Sequence, residues 1–122
     1  MSDFDARKKE YNLTSFAETR AALSDPDTIV IDIRRPDEID DHVQHANYHQ
    51  VTVTLDDASA LEACAPTMLP KKDAKIFVYC RSGRRATNAV QALEKHGYTN
   101  VLNGGGFSDV QAALADGNPE SQ

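Results

Sequence analysis

Two nearly continuous apolar runs stand out along the chain. Residues 28–33 are mostly β-branched, and residues 75–80 end at a cysteine. Both runs are typical of strands that are covered on both faces, as in a parallel sheet. Residues 48–55 alternate apolar and polar positions, and residues 101–102 form a short apolar pair. These four segments are the predicted strands.

Helix signals lie between the strands. Glu18 follows Ser15 by three residues, which has the form of a capping box and predicts a first helix over residues 15–24. After the second apolar run, four residues fall at i, i+3, i+4 and i+7 and predict one helix face: Ala86, Ala89, Val90 and Leu93. Gly97 is placed to end that helix in the left-handed conformation.

Prolines set two further helix boundaries. Pro36 predicts the start of a short acidic helix, because its backbone suits the first helical position. Asp56 or Asp57 could cap another helix. We expect that helix to end at about Ala63, since Pro66 disfavours helical backbone at the residue before it.

The C-terminal part of the chain is predicted to contain a turn and a last helix. The turn is at the glycines of residues 104–106. Phe107, Val110 and Leu114 then mark an amphipathic helix face. The tail after Asp116 is expected to fray.

Strands that alternate with helices predict parallel strands joined by right-handed crossovers, hence an α/β domain of three layers. The sequence has no internal repeat or linker, so residues 1–122 are expected to form a single domain. Ligands of such sheets bind beyond the carboxyl ends of the strands, and Cys80 lies at one such end.

Composition and charge narrow the partners and the compartment. The chain has 122 residues and a net charge of −6, which argues against a nucleic-acid partner. No stretch approaches the roughly 18 apolar residues of a membrane span, and the first ten residues are polar, so we expect a cytoplasmic protein and no membrane partner. Two cysteines, Cys64 and Cys80, are too few for a disulfide framework and are expected to be reduced.

Positive charge is concentrated directly after Cys80. Residues 81–85 hold three of the chain's 13 basic residues, and Gly83 among them allows a tight curl. A loop between a strand end and a helix start lets backbone N–H groups converge on one centre, which favours an anion. Amides, helix dipole and guanidinium groups together favour the Cys80 thiolate, so Cys80 is the candidate nucleophile. The alternative is an inert buried thiol followed by solvated arginines.

The segment from Cys80 to Arg85 resembles the active-site loop of single-domain rhodaneses, with the pattern C-x-x-G-x-R. Further segments are similar to other motifs of that family, in the same order: residues 31–38 to Asp-Val-Arg-x-Pro-x-Glu, residues 42–47 to G-H-I-x-G-A-x-N, and residues 103–107 to the late glycine turn. His45 stands where the family often has glycine, and Phe107 lies where a tryptophan is usual.

The resemblance covers about residues 13–115 and implies a sheet of about five parallel strands flanked by helices. It implies a sulfurtransferase that takes a sulfane sulfur from thiosulfate or a similar anionic donor and holds it as a persulfide on Cys80. The acceptor would be thiophilic: cyanide, a thiol or a protein cysteine. Arg85 closes the loop and is expected to stabilise the anionic sulfur, so Cys80 and Arg85 are the predicted catalytic residues, and no cofactor is expected.

The remaining loop residues are predicted to bind the donor. Arg81 and Arg84 would attract and orient a dianion, although Arg84 could equally keep the helix start soluble. Ser82 could donate its hydroxyl toward the sulfur or cap the following helix. Gly83 allows the loop amides to converge.

Asp32 and Arg34 are predicted to support the site. Asp32 resembles a family aspartate near the active-site loop and could orient an arginine there. A structural pairing of Arg34 with Asp32 or Glu38 is the alternative.

The histidines and the second cysteine raise two further possibilities, a zinc site and a second reactive thiol. His42, His45 and His49 would share a helix face suited to zinc, but this region reads better as a loop into a strand, so we expect no metal site. Cys64 could act as a resolving thiol, but its apolar helix end favours a structural role.

Two other functions are considered for the same fold: a phosphatase or arsenate reductase, and a non-catalytic anion-binding or signalling module. Rhodaneses resembling this chain use six residues from cysteine to arginine, related phosphatases and arsenate reductases use seven, and Cys80 to Arg85 is six. A shorter ring suits one added sulfur better than a tetrahedral phosphate. The intact cysteine argues against the binding module.

Overall fold

The computed structural model describes residues 3–115, and helices and strands alternate along them. The predicted fraying after Asp116 concerns residues outside that range. The elements are, in order, α1 (Asp3–Tyr11), α2 (Phe16–Ser24), β1 (Ile29–Asp32), a 3₁₀ turn (Pro36–Glu38), β2 (Tyr48–Gln50), α3 (Ser59–Met68), β3 (Ile76–Cys80), α4 (Arg84–Lys95), β4 (Val101–Gly106) and α5 (Phe107–Ala115).

The strands form one parallel sheet in the order β2-β1-β3-β4. Over residues 3–115 the sheet has four regular strands rather than the five that the resemblance implied. Leu13 makes a single parallel bridge to Asn103 at the outer edge of β4, where a fifth strand would lie. The predicted α/β class and parallel sheet are confirmed.

Two apolar clusters occupy the two faces of the sheet. One contains Ile31, Val78 and Cys80 and is covered by α3 and α4. The other contains Phe77 and Tyr79 and is covered by α2 and α5. Because successive residues of a strand point to opposite faces, neighbours along β3 belong to different clusters. The domain therefore has three layers, helices, sheet and helices, as expected from the alternation.

Several local predictions are confirmed. Ser15 Oγ accepts from Glu18 N at 3.1 Å, and Glu18 Oε1 accepts from Ser15 N at 2.8 Å, which completes the capping box of α2. Pro36 begins the 3₁₀ turn. Gly97 follows α4 with φ +92°, a left-handed backbone that ends the helix.

The prediction for α3 was wrong at its end. The helix continues to Met68 with Pro66 inside it. Pro66 is exposed, so the missing N–H removes one bond on the outer side, while Leu61 and Leu69 on the inner side are fully buried. Burial outweighs the local cost of the proline. The N-cap of α3 is Ala58 rather than the predicted Asp56 or Asp57, although Asp57 Oδ1, one residue earlier, accepts from Ser59 N at 2.9 Å.

Helix α1 was not foreseen, because the first helix was predicted at Ser15. None of the residues of α1 is buried, so it has no apolar periodicity to detect. It is held by tertiary contacts, including the Phe4 and Phe16 rings with centroids 4.9 Å apart.

The C-terminal elements also differ in detail from the prediction. Gly104, Gly105 and Gly106 belong to β4 rather than to a separate turn. In α5 the inward positions are Val110 and Ala113, whereas Leu114, predicted on the apolar face, is 53% exposed. β2 is likewise shorter than predicted. The bounds of β2 and β4 follow their pairing with β1 and β3 rather than the residue types along the chain.

Across residues 3–115, no helix combines the length and apolar character needed to cross a membrane.

We predict that Gly104→Ala destabilises the protein. A Cβ at residue 104 would lie 2.1 Å from Cζ of Phe77, a fully buried ring, so the ring or the strand must move. Overpacking of this kind costs about 1 to 3 kcal/mol of unfolding free energy. Urea unfolding of Gly104→Ala, Phe77→Leu and the double variant tests this. The two changes should be less than additive, since the smaller side chain makes room; strict additivity would contradict the clash.

Candidate active site

Cys80 is the last residue of β3 and is 1% exposed. Its Sγ accepts a hydrogen bond from Gly83 N at 3.1 Å. Gly83 has φ +101° and is the N-cap of α4, which begins at Arg84. The left-handed glycine turns the chain from strand to helix within three residues and brings its amide onto the sulfur. An amide donor and a helix N-terminus both favour negative charge on Cys80.

The side chains after Cys80 form a basic rim around a shallow cleft. Arg81 and Arg84 are exposed, and Ser82 and Arg85 are half-buried. Together with Leu55 they line a cleft of about 420 Å³. Ser82 Oγ accepts from Arg84 N at a long 3.5 Å, so its hydroxyl faces the helix start. The rim offers a small anion guanidinium groups beside the sulfur.

Arg85 is held by a carboxylate that the sequence analysis mentioned only as a possible partner of Arg34. Its Nη1 and Nη2 donate to Glu38 Oε2 and Oε1 at 2.7 and 2.9 Å. This bidentate bond from Arg85 lowers the pKa of Glu38 from 4.5 to about 2. Glu38 in turn raises the pKa of Arg85, with a smaller contribution from Cys80. Arg85 is thus a cation held in one position by Glu38.

Asp32 and Arg34 form a buried pair on the other face of the sheet from Cys80. Asp32 Oδ2 accepts from Arg34 Nη2 at 2.7 Å, and also from the hydroxyls of Tyr48 and Tyr79 at 2.8 and 3.0 Å. The Arg34 guanidinium lies 4.8 Å from the centre of the Phe107 ring. The structural pairing of Arg34 with Asp32 is found, and the arginine that Asp32 orients is Arg34 rather than one of the loop.

The loop rests on the backbone of β4, which the sequence analysis did not foresee. A Cβ on Gly106 would lie 1.9 Å from the carbonyl oxygen of Arg81, so only glycine lets the two segments meet. Asn103, 4% exposed, donates through Nδ2 to the Gly83 carbonyl at 3.0 Å and accepts through Oδ1 from Gly105 N at 3.0 Å. The sequence signal that could have indicated this contact was the asparagine directly before the run of three glycines.

The histidines are placed in separate contacts. His42 stacks on Tyr48 with ring centroids 4.2 Å apart. His45 accepts from Asn47 N and donates to the Asp25 carbonyl, both at 3.0 Å, so the residue that replaces a family glycine ties its loop to the preceding turn. Within the part of the chain that the structure describes, no three His, Cys, Asp or Glu residues are grouped to hold a metal ion.

Cys64 lies on α3, half-buried, with its Sγ 3.5 Å from the Leu61 carbonyl oxygen of the preceding turn. It packs against the same apolar cluster that includes Cys80. Both cysteines are free thiols.

We predict that the contribution of the Glu38–Arg85 pair to stability is lost in acid. The folded state lowers the pKa of Glu38 to about 2, so the contribution is complete above pH 4.5 and disappears as the pH falls toward 2. Glu38→Gln should cost about 1 to 3 kcal/mol of unfolding free energy at pH 7 and progressively less between pH 5 and about 3. Urea unfolding at each pH measures the difference.

A matched control is Asp37→Asn, which removes a carboxylate that is 71% exposed and pairs with Arg35. Its effect should stay below about 1 kcal/mol. A Glu38→Gln effect that is the same at pH 7 and pH 3 would contradict the role of the ionised pair.

Comparison with known proteins agrees with this geometry. The sequence profile of the rhodanese-like domain family matches residues 15–113. A putative mitochondrial thiosulfate sulfurtransferase of Schizosaccharomyces pombe is 34% identical over 101 residues, which cover 79% of this chain and 68% of the relative. The thiosulfate sulfurtransferase PspE of Escherichia coli is 35% identical over 81 residues, or 66% of this chain and 71% of PspE.

A solved structure, a rhodanese with anions from E. coli, is 31% identical and superposes with a TM-score of 0.56, covering 67% of this chain and 89% of that one. The matched residues include the Cys80 loop, its Glu38 partner and the β4 glycines. The chain therefore belongs to the rhodanese-like domain family, where its relatives are sulfurtransferases.

Proposed function

We propose that this protein is a thiosulfate sulfurtransferase that carries the transferred sulfur as a persulfide on Cys80. The observation that supports this most directly is the hydrogen bond from Gly83 N to Cys80 Sγ at the start of α4. It directs a backbone dipole and a helix N-terminus at a sulfur with a basic rim beside it. Such a site stabilises both a thiolate and the anion formed when a second sulfur is added.

In the first half-reaction, the Cys80 thiolate attacks the outer sulfur of thiosulfate. A bond forms between Sγ and that sulfur, the sulfur–sulfur bond of thiosulfate breaks, and sulfite leaves with the bonding electron pair. The enzyme keeps a persulfide with one negative charge, so the charges balance. The added sulfur extends about 2 Å beyond Sγ, which lets a buried cysteine present a more accessible atom.

In the second half-reaction, a thiophilic acceptor attacks the outer sulfur of the persulfide. With cyanide as acceptor, thiocyanate leaves and the Cys80 thiolate is restored, so no external oxidant or reductant is needed. A thiol or a protein cysteine would act as acceptor by the same displacement. The shared covalent intermediate implies ping-pong kinetics.

The arginines have different tasks in this scheme. Arg85 supplies a positive charge whose position is fixed by its ion pair with Glu38. Arg81 and Arg84 are exposed at the cleft and attract the dianionic donor. The six-residue span from Cys80 to Arg85 favours sulfur over phosphate as the group that the loop holds.

Intact-mass measurement after incubation with thiosulfate tests the persulfide. The wild-type protein should gain one sulfur, about 32 Da, and cyanide should remove it. Cys80→Ser should gain nothing, whereas Cys64→Ser, the matched control at the other free thiol, should behave as wild type. An adduct that persists in Cys80→Ser, or a wild type that stays unmodified at high thiosulfate, would refute the proposal.

We predict that Arg81→Ala weakens donor binding more than turnover. Loss of one exposed guanidinium should raise the KM for thiosulfate about fivefold and change kcat less than twofold, because the charge acts before the chemical step. Steady-state kinetics at low salt measure the split. Lys71→Ala removes the same charge before β3, at the opposite end of the sheet, and should leave KM unchanged. A drop in kcat with constant KM would instead show that Arg81 stabilises the transition state.

A further inference from the structure

Arg7 of α1 contacts the active-site loop from outside the residues that match the family. The match begins at residue 15, after α1 has ended. The Arg7 side chain is 18% exposed. Its Nη1 donates to the carbonyl oxygen of Ser82 at 2.8 Å. A charged donor therefore lies on the backbone of the loop that follows Cys80.

The carbonyl of Ser82 and the N–H of Gly83 belong to the same peptide group. In a planar trans peptide these two bonds point in opposite directions. Arg7 holds the oxygen at one end, and the N–H at the other end donates to Cys80 Sγ at 3.1 Å. Fixing the carbonyl thus fixes the direction of the amide that contacts the sulfur.

The same contact changes the strength of that amide as a donor. A hydrogen bond from a guanidinium draws electron density toward the carbonyl oxygen, which polarises the peptide and makes its N–H more positive. Arg7 is a permanent cation, since its hydrogen bonds with Asp109 hold its pKa above the ordinary range. The polarisation therefore does not depend on the protonation state of Arg7.

Arg7 is itself fixed by a carboxylate in the first turn of α5, directly after the glycine strand β4. Its Nη1 and Nη2 donate to Asp109 Oδ2 and Oδ1 at 2.7 and 2.9 Å. Asp109 Oδ2 also accepts from Gly106 N at 2.7 Å, and a Cβ on Gly105 would lie 2.8 Å from that oxygen. The arginine cannot swing away without breaking contacts on both sides.

We propose that Arg7 is a positioning residue that aims and polarises the Ser82–Gly83 peptide toward Cys80, and so stabilises the anionic sulfur. The proposal rests on the sulfurtransferase function for its kinetic consequence, but not for its structural one. A simpler role for Arg7 would be to dock α1 on the domain. That role predicts no specific change at the Gly83 amide, only a general increase in local mobility.

The test uses the full chain with Arg7→Gln, which removes the charge at similar length, Arg7→Lys, which restores a cation, and Phe16→Leu as control. Phe16→Leu weakens the packing of α1 through the Phe4 ring but keeps the guanidinium and the Phe4 ring beside it. Nuclear magnetic resonance of ¹⁵N-labelled protein reports the Gly83 amide proton without any substrate. In Arg7→Gln its resonance should move upfield and its solvent exchange should accelerate about tenfold.

Steady-state kinetics of the same variants supply the second measurement. Arg7→Gln should lower kcat about tenfold with KM for thiosulfate within twofold, because the sulfur rather than the rim is affected. Arg7→Lys should recover part of both changes, and Phe16→Leu should stay near wild type in both. Since the resonance needs no turnover, a wild type that fails to load sulfur would refute the proposed function and leave the test of Arg7 intact.

Two results would overturn the proposal. One is a folded Arg7→Gln protein whose Gly83 resonance and exchange match those of wild type. The other is a Phe16→Leu protein that shows the same changes as Arg7→Gln, which would assign the effect to docking of α1.

Discussion

The close approach of β4 to the loop after Cys80 is the constraint on which the site depends. Gly106 lies directly against the Arg81 carbonyl, at a distance that excludes any side chain. Asn103 joins the two segments by bonding both the Gly83 carbonyl and the Gly105 amide. Because the loop packs against the strand in this way, Gly83 keeps the left-handed backbone that directs its own amide to the sulfur. A rigid support of this kind fixes the position of the loop relative to the Cys80 sulfur.

The acidic chain produces a basic site because carboxylates hold some arginines and leave others at the surface. Glu38 fixes Arg85, and Asp109 fixes Arg7, each through two parallel hydrogen bonds. Arg81 is exposed at the cleft. Paired arginines in partly buried positions are held in one geometry, whereas exposed ones act at longer range and are screened by salt. The net charge of −6 therefore says little about the local charge at the cleft.

Successive residues of β3 point to opposite faces of the sheet, so Cys80 and the buried Asp32–Arg34 pair lie on different faces. Cys80 points to the face covered by α3 and α4, while Tyr79 points to the other face and bonds Asp32. Asp32 of the buried Asp32–Arg34 pair also accepts from the Tyr48 hydroxyl, so side chains of β1, β2 and β3 are joined on this face of the sheet. A paired buried charge of this kind is costly to break, since one partner would be left unsatisfied. The strand that ends at Cys80 is thereby held from its opposite face.

Local patterns were enough to predict the α/β class, the buried strand ending at Cys80, the capping box of Ser15 and the helix after the loop. These features depend on apolar runs, side-chain spacing and glycine backbone freedom. Three other features could not be predicted locally: α3 passes through Pro66, α1 forms without a buried face, and Glu38 and Arg7 reach the loop. Those outcomes depend on contacts between residues far apart in the chain, where burial and charge pairing outweigh local preference.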